Sequence, residues 1–253
     1  MKRKLLPFLM VFFAADDAEA QTTKRTQYAN QVWSGYFNQT RFSKHWGSWT
    51  DLQLRTKENY FSNLNQSLVR AGLTYYVTNN TKLTIGYGWI NSFPGDNHPT
   101  VSQPEHRIWQ QVQWHTNYPR LRLMQYLRLE ERWRQNIAAT GLQAEGFAYS
   151  WRLRYNFLLN VPVGQKPFAP GTVSFVANDE VHVGFGKNVV YNYFDQNRFF
   201  LGFNYHTTKS DYVQLGFMNQ FSQLSAGNQY KSVSGARIGY FHNLDLRVSK
   251  QAN

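Results

Sequence analysis

The chain has 253 residues, 27 Lys and Arg against 15 Asp and Glu, a formal net charge of +12, and no cysteine, which excludes disulfide and thiolate–metal chemistry. Hydrophobic residues make up 42% and mean hydropathy is −0.56. That is too polar for a helical membrane protein but fits a transmembrane β-barrel, in which only every second residue meets lipid.

Lys2, Arg3 and Lys4, the apolar run Leu5 to Ala15, and Ala18-Glu19-Ala20 form the three parts of a secretory signal. Residues 1–20 are expected to be removed after Ala20, because the apolar run is far short of the roughly 20 residues that span a bilayer. The rest, 21–253, reads as one domain. It keeps 24 Lys and Arg against 12 Asp and Glu. The arginines sit singly in alternating segments rather than in one patch, so nucleic acid is not an expected partner. Outer-membrane lipid, lipopolysaccharide and small anionic solutes are.

Extended segments separated by turn residues follow in order. They are Val32 to Phe42, Gly47 to Lys57, Leu68 to Val77, Leu83 to Trp89 and Arg107 to Thr116, then Leu121 to Arg134, Tyr149 to Val161, Thr172 to Phe185, Arg198 to His206, Tyr212 to Phe221 and Val233 to Arg247. Thr78-Asn79-Asn80-Thr81 is a tight hairpin, since Asn tolerates left-handed backbone. Connections alternate between short (Asn79, Pro119, Lys209) and long (Pro94, Ala139, Tyr191, Ala226), as short periplasmic turns and long outer loops would. Gln135 to Gly146 and Lys187 to Asn197 read as loops. Eleven segments are recognisable, but antiparallel closure asks for an even number. The expectation is an all-β, up-and-down transmembrane barrel of about 12 strands, with Lys24 to Asn30 as the extra one and 10 strands as the runner-up.

The segment Leu121 to Arg134 fixes which face is which. Leu121, Leu123, Leu127, Leu129 and Trp133 share one parity, and Arg122, Arg128, Glu130, Arg132 and Arg134 share the other. An outward arginine costs roughly 2 to 4 kcal/mol at the bilayer midplane, so the charged parity faces the lumen. The expected lumen set is Arg70, Arg107, Arg128, Glu130, Arg132, Arg134, Arg152, Arg154, Glu180, His182, Arg237 and Asp245, with Arg247 beside it.

These residues form either a structural ion-pair plug or a narrow anion-selective conduit. Two other classes stay open. A lipid-acting hydrolase would use the run Asn178, Asp179, Glu180 and His182, but Ser174 lies about 26 Å from His182 along the strand at roughly 3.3 Å per residue. A soluble ligand-binding barrel would put charge outside and oil inside. No cofactor is expected, and the seven histidines show no metal-ligand spacing. The balance leans away from an enzyme. The eight tryptophans read as interfacial girdles. The expected location is the outer membrane of a Gram-negative bacterium.

The stretches W-S-G-Y-F-N-Q-T-R (Trp33 to Arg41), E-H-R-I-W-Q-Q (Glu105 to Gln111), R-L-E-E-R-W (Arg128 to Trp133), N-D-E-V-H (Asn178 to His182), N-Y-F-D-Q-N-R (Asn192 to Arg198) and G-N-Q-Y (Gly227 to Tyr230) together resemble an uncharacterised outer-membrane barrel family, domain-of-unknown-function family twenty-four ninety. The resemblance implies an outer-membrane β-barrel and carries over no catalytic residue.

Overall fold

A computed structural model describes residues 24–57, 63–95, 98–166, 168–189, 193–224 and 228–247. The expected signal segment lies outside them. Alternating parity, carried by β-branched and aromatic residues on one face, makes strands that need closure to satisfy their edges. The strands are β1 (Arg25–Arg41), β2 (Trp46–Thr56), β3 (Leu64–Tyr76), β4 (Thr81–Ser92), β5 (Gln103–Tyr118), β6 (Leu121–Ile137), β7 (Gln143–Val163), β8 (Val173–Phe185), β9 (Phe194–His206), β10 (Asp211–Gln223) and β11 (Gln229–Asp245). Each pairs antiparallel with the next, and β1 closes on β11.

The barrel therefore has eleven strands, not twelve or ten. An odd number makes first and last strands run the same way, and β1 and β11 pair parallel from Arg25↔Gln229 to Arg41↔Asp245. A parallel ladder is slightly weaker per residue, but this one is 17 residues long and leaves no free edge. The stretch Lys24 to Asn30, expected to be a separate strand, is the start of β1 apart from Lys24.

The other departures concern strand ends. The β6–β7 hairpin runs on through much of the expected loop, leaving residues 138–142 as the connection. Amide side chains stitch the extension together: Asn136 Nδ2 donates to the Glu145 carbonyl at 2.9 Å, and Gln135 Nε2 to those of Gly146 at 3.2 Å and Ala144. Polarity there marks distance from the apolar band, not an end to pairing.

Apolar side chains stand outward, with Ile85 56%, Leu215 55% and Phe203 53% exposed. Inside, glycines make room for large neighbours. The Trp109 ring lies against Gly72 and Gly86 and the Phe200 ring against Gly202 and Gly216, where any Cβ would collide with ring or backbone. One side of the interior is apolar: Trp33, Val176, Phe200, Met218 and Val233 form a buried cluster with Ala29 and Leu158 against it. The other side, on β5 to β8, is charged.

Candidate functional site

Cross-strand register brings the charges of β5 to β9 into one layer. Arg107 lies opposite Arg132, Arg128 opposite Arg154, Glu130 opposite Arg152, and Glu180 opposite Arg198. Like charges directly opposite repel, so carboxylates on the diagonals must bridge them. Glu105 takes hydrogen bonds from Nε of Arg107 and of Arg132 at 2.6 Å each and from Arg134 Nε at 3.1 Å. Glu130, 1% exposed, accepts from Arg154 Nη1 at 2.6 Å, with guanidinium nitrogens of Arg107, Arg152 and Arg128 at 3.7, 3.7 and 3.9 Å.

Glu180 accepts from Arg154 at 2.5 and 2.9 Å and from the Tyr126 hydroxyl, with His182 Nε2 at 3.0 Å and Arg198 Nη1 at 3.9 Å. Asp195 pairs with Arg152 at 2.5 Å. Across the lumen, Asp51 holds Arg70 in a two-point contact at 2.6 and 3.1 Å, the planar fork-to-fork geometry that only arginine offers.

Among the described residues of the β5 to β9 layer, seven arginines share four carboxylates. An indole face meets part of the surplus, since Arg128 lies 4.3 Å from the Trp109 centroid; on β2, Arg55 lies 3.8 Å from that of Trp33 in the same way. Trp33, Trp49 and Trp109 thus line the interior rather than a girdle, because the Arg-rich parity is also theirs. Trp46 and Trp89 do face outward.

Of the expected lumen set, Arg70, Arg107, Arg128, Glu130, Arg132, Arg152, Arg154, Glu180 and His182 join this ion-paired interior, and Arg134 pairs with Glu105 from its rim, with a side chain 46% exposed. Arg237 lines the lumen apart from it. Asp245 does not belong: it ends β11 with a half-exposed side chain and pairs with Arg247, two residues on. The residues the sequence left out, Asp51, Glu105, Arg55, Arg198 and Asp195, were largely legible by parity, since Asp51 and Arg55 share a face, as do Glu105 and Arg107. Asp195 was hidden in a presumed loop.

The run Asn178 to His182 divides between faces. Asp179 points outward and accepts from Asn197 Nδ2 at 2.8 Å, while Glu180 and His182 point inward. His182 is fully buried, and Gln196 Nε2 lies 2.9 Å from its Nδ1. Ser174 meets a different histidine, His206, whose Nε2 is 3.0 Å from its Oγ. Among the described residues no cluster of three His, Asp or Glu could hold a metal ion.

Below the charged layer, towards the short turns, the lumen opens into a cavity of about 470 Å³ that reaches the β9–β10 turn at Lys209 and Ser210. Its wall includes a stack of three rings on neighbouring strands. Phe37 and Phe241 are 4.4 Å apart at 9°, and Phe241 and Tyr212 are 4.6 Å apart at 8°.

The family described as "Protein of unknown function (DUF2490)" matches residues 30–231, which include all of β2 to β10 and the whole charged layer. The chain belongs to the DUF2490 family. No curated protein matches this DUF2490 chain. Among solved structures, the NanC porin in a rhombohedral crystal form is similar at 13% identity and a TM-score of 0.48, covering 85% of this chain and 99% of that one.

Proposed function

We propose that this DUF2490 chain is a Gram-negative outer-membrane barrel whose Arg-rich lumen is a structural ion-pair plug and not an anion conduit. One observation carries the reading. Every strand supplies an inward side chain no more than 7% exposed, such as Trp33, Asp51, Arg70, Ile90, Trp109, Glu130, Arg154, His182, Phe200, Met218 and Val233 from β1 to β11 in turn. A bore that water crosses would leave some strand's inner face wet at each level. The apolar cluster on the β8 to β11 and β1 side supports the same reading, because an ion path would not be walled by Val, Met and Phe.

The outward apolar face argues for lipid outside, and against a soluble barrel, which would expose these arginines instead. Among the described residues no serine is bonded to Glu180 or His182, and the hydroxyl that Glu180 does accept from, that of Tyr126, lies in the lumen and not on the lipid side, which counts against the hydrolase reading. With the long loops taken as external, the cavity opens on the periplasmic side.

Planar-bilayer recording of the refolded chain tests the plug. The expected result is insertion without conductance steps. Wild-type steps whose anion selectivity changes in Arg132→Ala would overturn it and establish a conduit.

A further inference from the structure

The charged layer is satisfied largely by its own carboxylates, but three cations lining the cavity below it, Arg122, Lys209 and Arg237, have no carboxylate partner among the described residues, and of these Arg237 is the one set on the apolar side. Arg237 on β11 makes no hydrogen bond or ion pair with the described residues. Its guanidinium stands 5.4 Å from the Phe200 centroid and 5.7 Å from that of Phe37, on the apolar side of the lumen. A half-buried guanidinium held among rings, with no carboxylate within 4 Å, is short of its natural partner.

Two further groups facing the same space are unmatched. The Oδ1 atoms of Asn156 and Asn160 are buried, line the cavity and accept no hydrogen bond. Buried acceptors of this kind cost free energy until a donor reaches them. Apart from the ion-paired side chains of the charged layer, the cavity wall carries Arg122, Lys209 and Arg237 against Asp211, so its field favours an anion.

We infer that the short-turn half of the lumen is a blind binding pocket for a small organic anion with a flat apolar body and a hydroxyl or N–H donor. Arg237 takes the anionic group, the Phe37–Phe241–Tyr212 stack takes the apolar body, and Asn156 and Asn160 accept from the donor. About 470 Å³ lies within the usual roughly 300–1,000 Å³ of small-molecule sites and above what one inorganic ion would fill. Strong ordering of the walls by the plug above would keep the pocket pre-formed, which lowers the cost of binding.

The test is calorimetry on the refolded barrel in nanodiscs of zwitterionic lipid, with 4-hydroxybenzoate as probe and acetate and phenol as its two halves. The expected result is saturable binding of 4-hydroxybenzoate at least tenfold tighter than either half. It should weaken at least tenfold in Arg237→Gln and several-fold in Phe37→Leu, and stay unchanged in the outward-facing variant Glu131→Gln. Equal binding by Arg237→Gln, phenol binding as tightly as the probe, or no binding at millimolar probe would each overturn the pocket. If Arg237→Gln fails to fold, undiminished binding by Phe37→Leu does so instead. Bilayer recording on the same preparation separates the two readings. A conducting barrel that still binds through Arg237 sinks only the plug, and a silent barrel that binds nothing sinks only the pocket.

Discussion

Glu130 and Glu131 are chain neighbours in opposite worlds, and replacing each by Gln isolates what the lumen does to a carboxylate. Glu130 is 1% exposed and has four guanidiniums within 4 Å, the nearest at 2.6 Å. At an effective dielectric of about 20, each contact near 4 Å is worth roughly 4 kcal/mol of gross attraction, most of it offset by desolvation. Removing one partner of a buried pair strands the others, and the net loss expected for Glu130→Gln is about 3 to 5 kcal/mol. Glu131 faces outward, and among the described residues its carboxylate accepts from the Tyr149 hydroxyl at 3.2 Å and Gln110 Nε2 at 3.4 Å and meets no guanidinium, so Glu131→Gln should change stability by less than about 1 kcal/mol. Urea unfolding of the refolded barrels, followed by tryptophan emission and by the heat-dependent gel shift of folded barrels, measures both. Equal losses for the two variants, or under about 1 kcal/mol for Glu130→Gln, would show that the buried layer is not held by its charges.

Two further outcomes test the wall itself. A Cβ on Gly86 would lie 2.4 Å from the Trp109 ring and 2.5 Å from the Ala71 carbonyl, so Gly86→Ala should lose roughly 1 to 3 kcal/mol in the same assay and shift tryptophan emission. Gly95→Ala, whose nearest atom is at 3.5 Å, should stay within about 0.5 kcal/mol. Because the chain has no cysteine, the parallel seam can be tested directly. Ser34 and Ile238 are register partners across it, and cysteines at both should form a disulfide, seen as a mobility change on a non-reducing gel. Failure there, alongside success for Leu215 with Ile238 across β10 and β11, would rule out the eleven-strand closure.

All eleven strands and both faces of Leu121 to Arg134 were legible in the sequence, because a strand's side-chain period is two and the cost of exposing arginine to lipid leaves one orientation. Strand ends were less legible. Gln135, Asn136 and Gln103 are polar because the strands outrun the apolar band, and composition alone cannot separate that from a loop. The even strand count failed because parity was a rule about chain direction, and only the β1–β11 register could show a parallel seam. Inward placement of Glu105 and Arg237 follows from alternation, yet nothing in their spacing distinguishes a shared carboxylate from a cation without a carboxylate partner. The sequence by itself determined a barrel with oil outside and charge inside. Tertiary structure alone decided which arginine meets which carboxylate, because ion pairs and cavities depend on the register between strands that lie far apart in the chain.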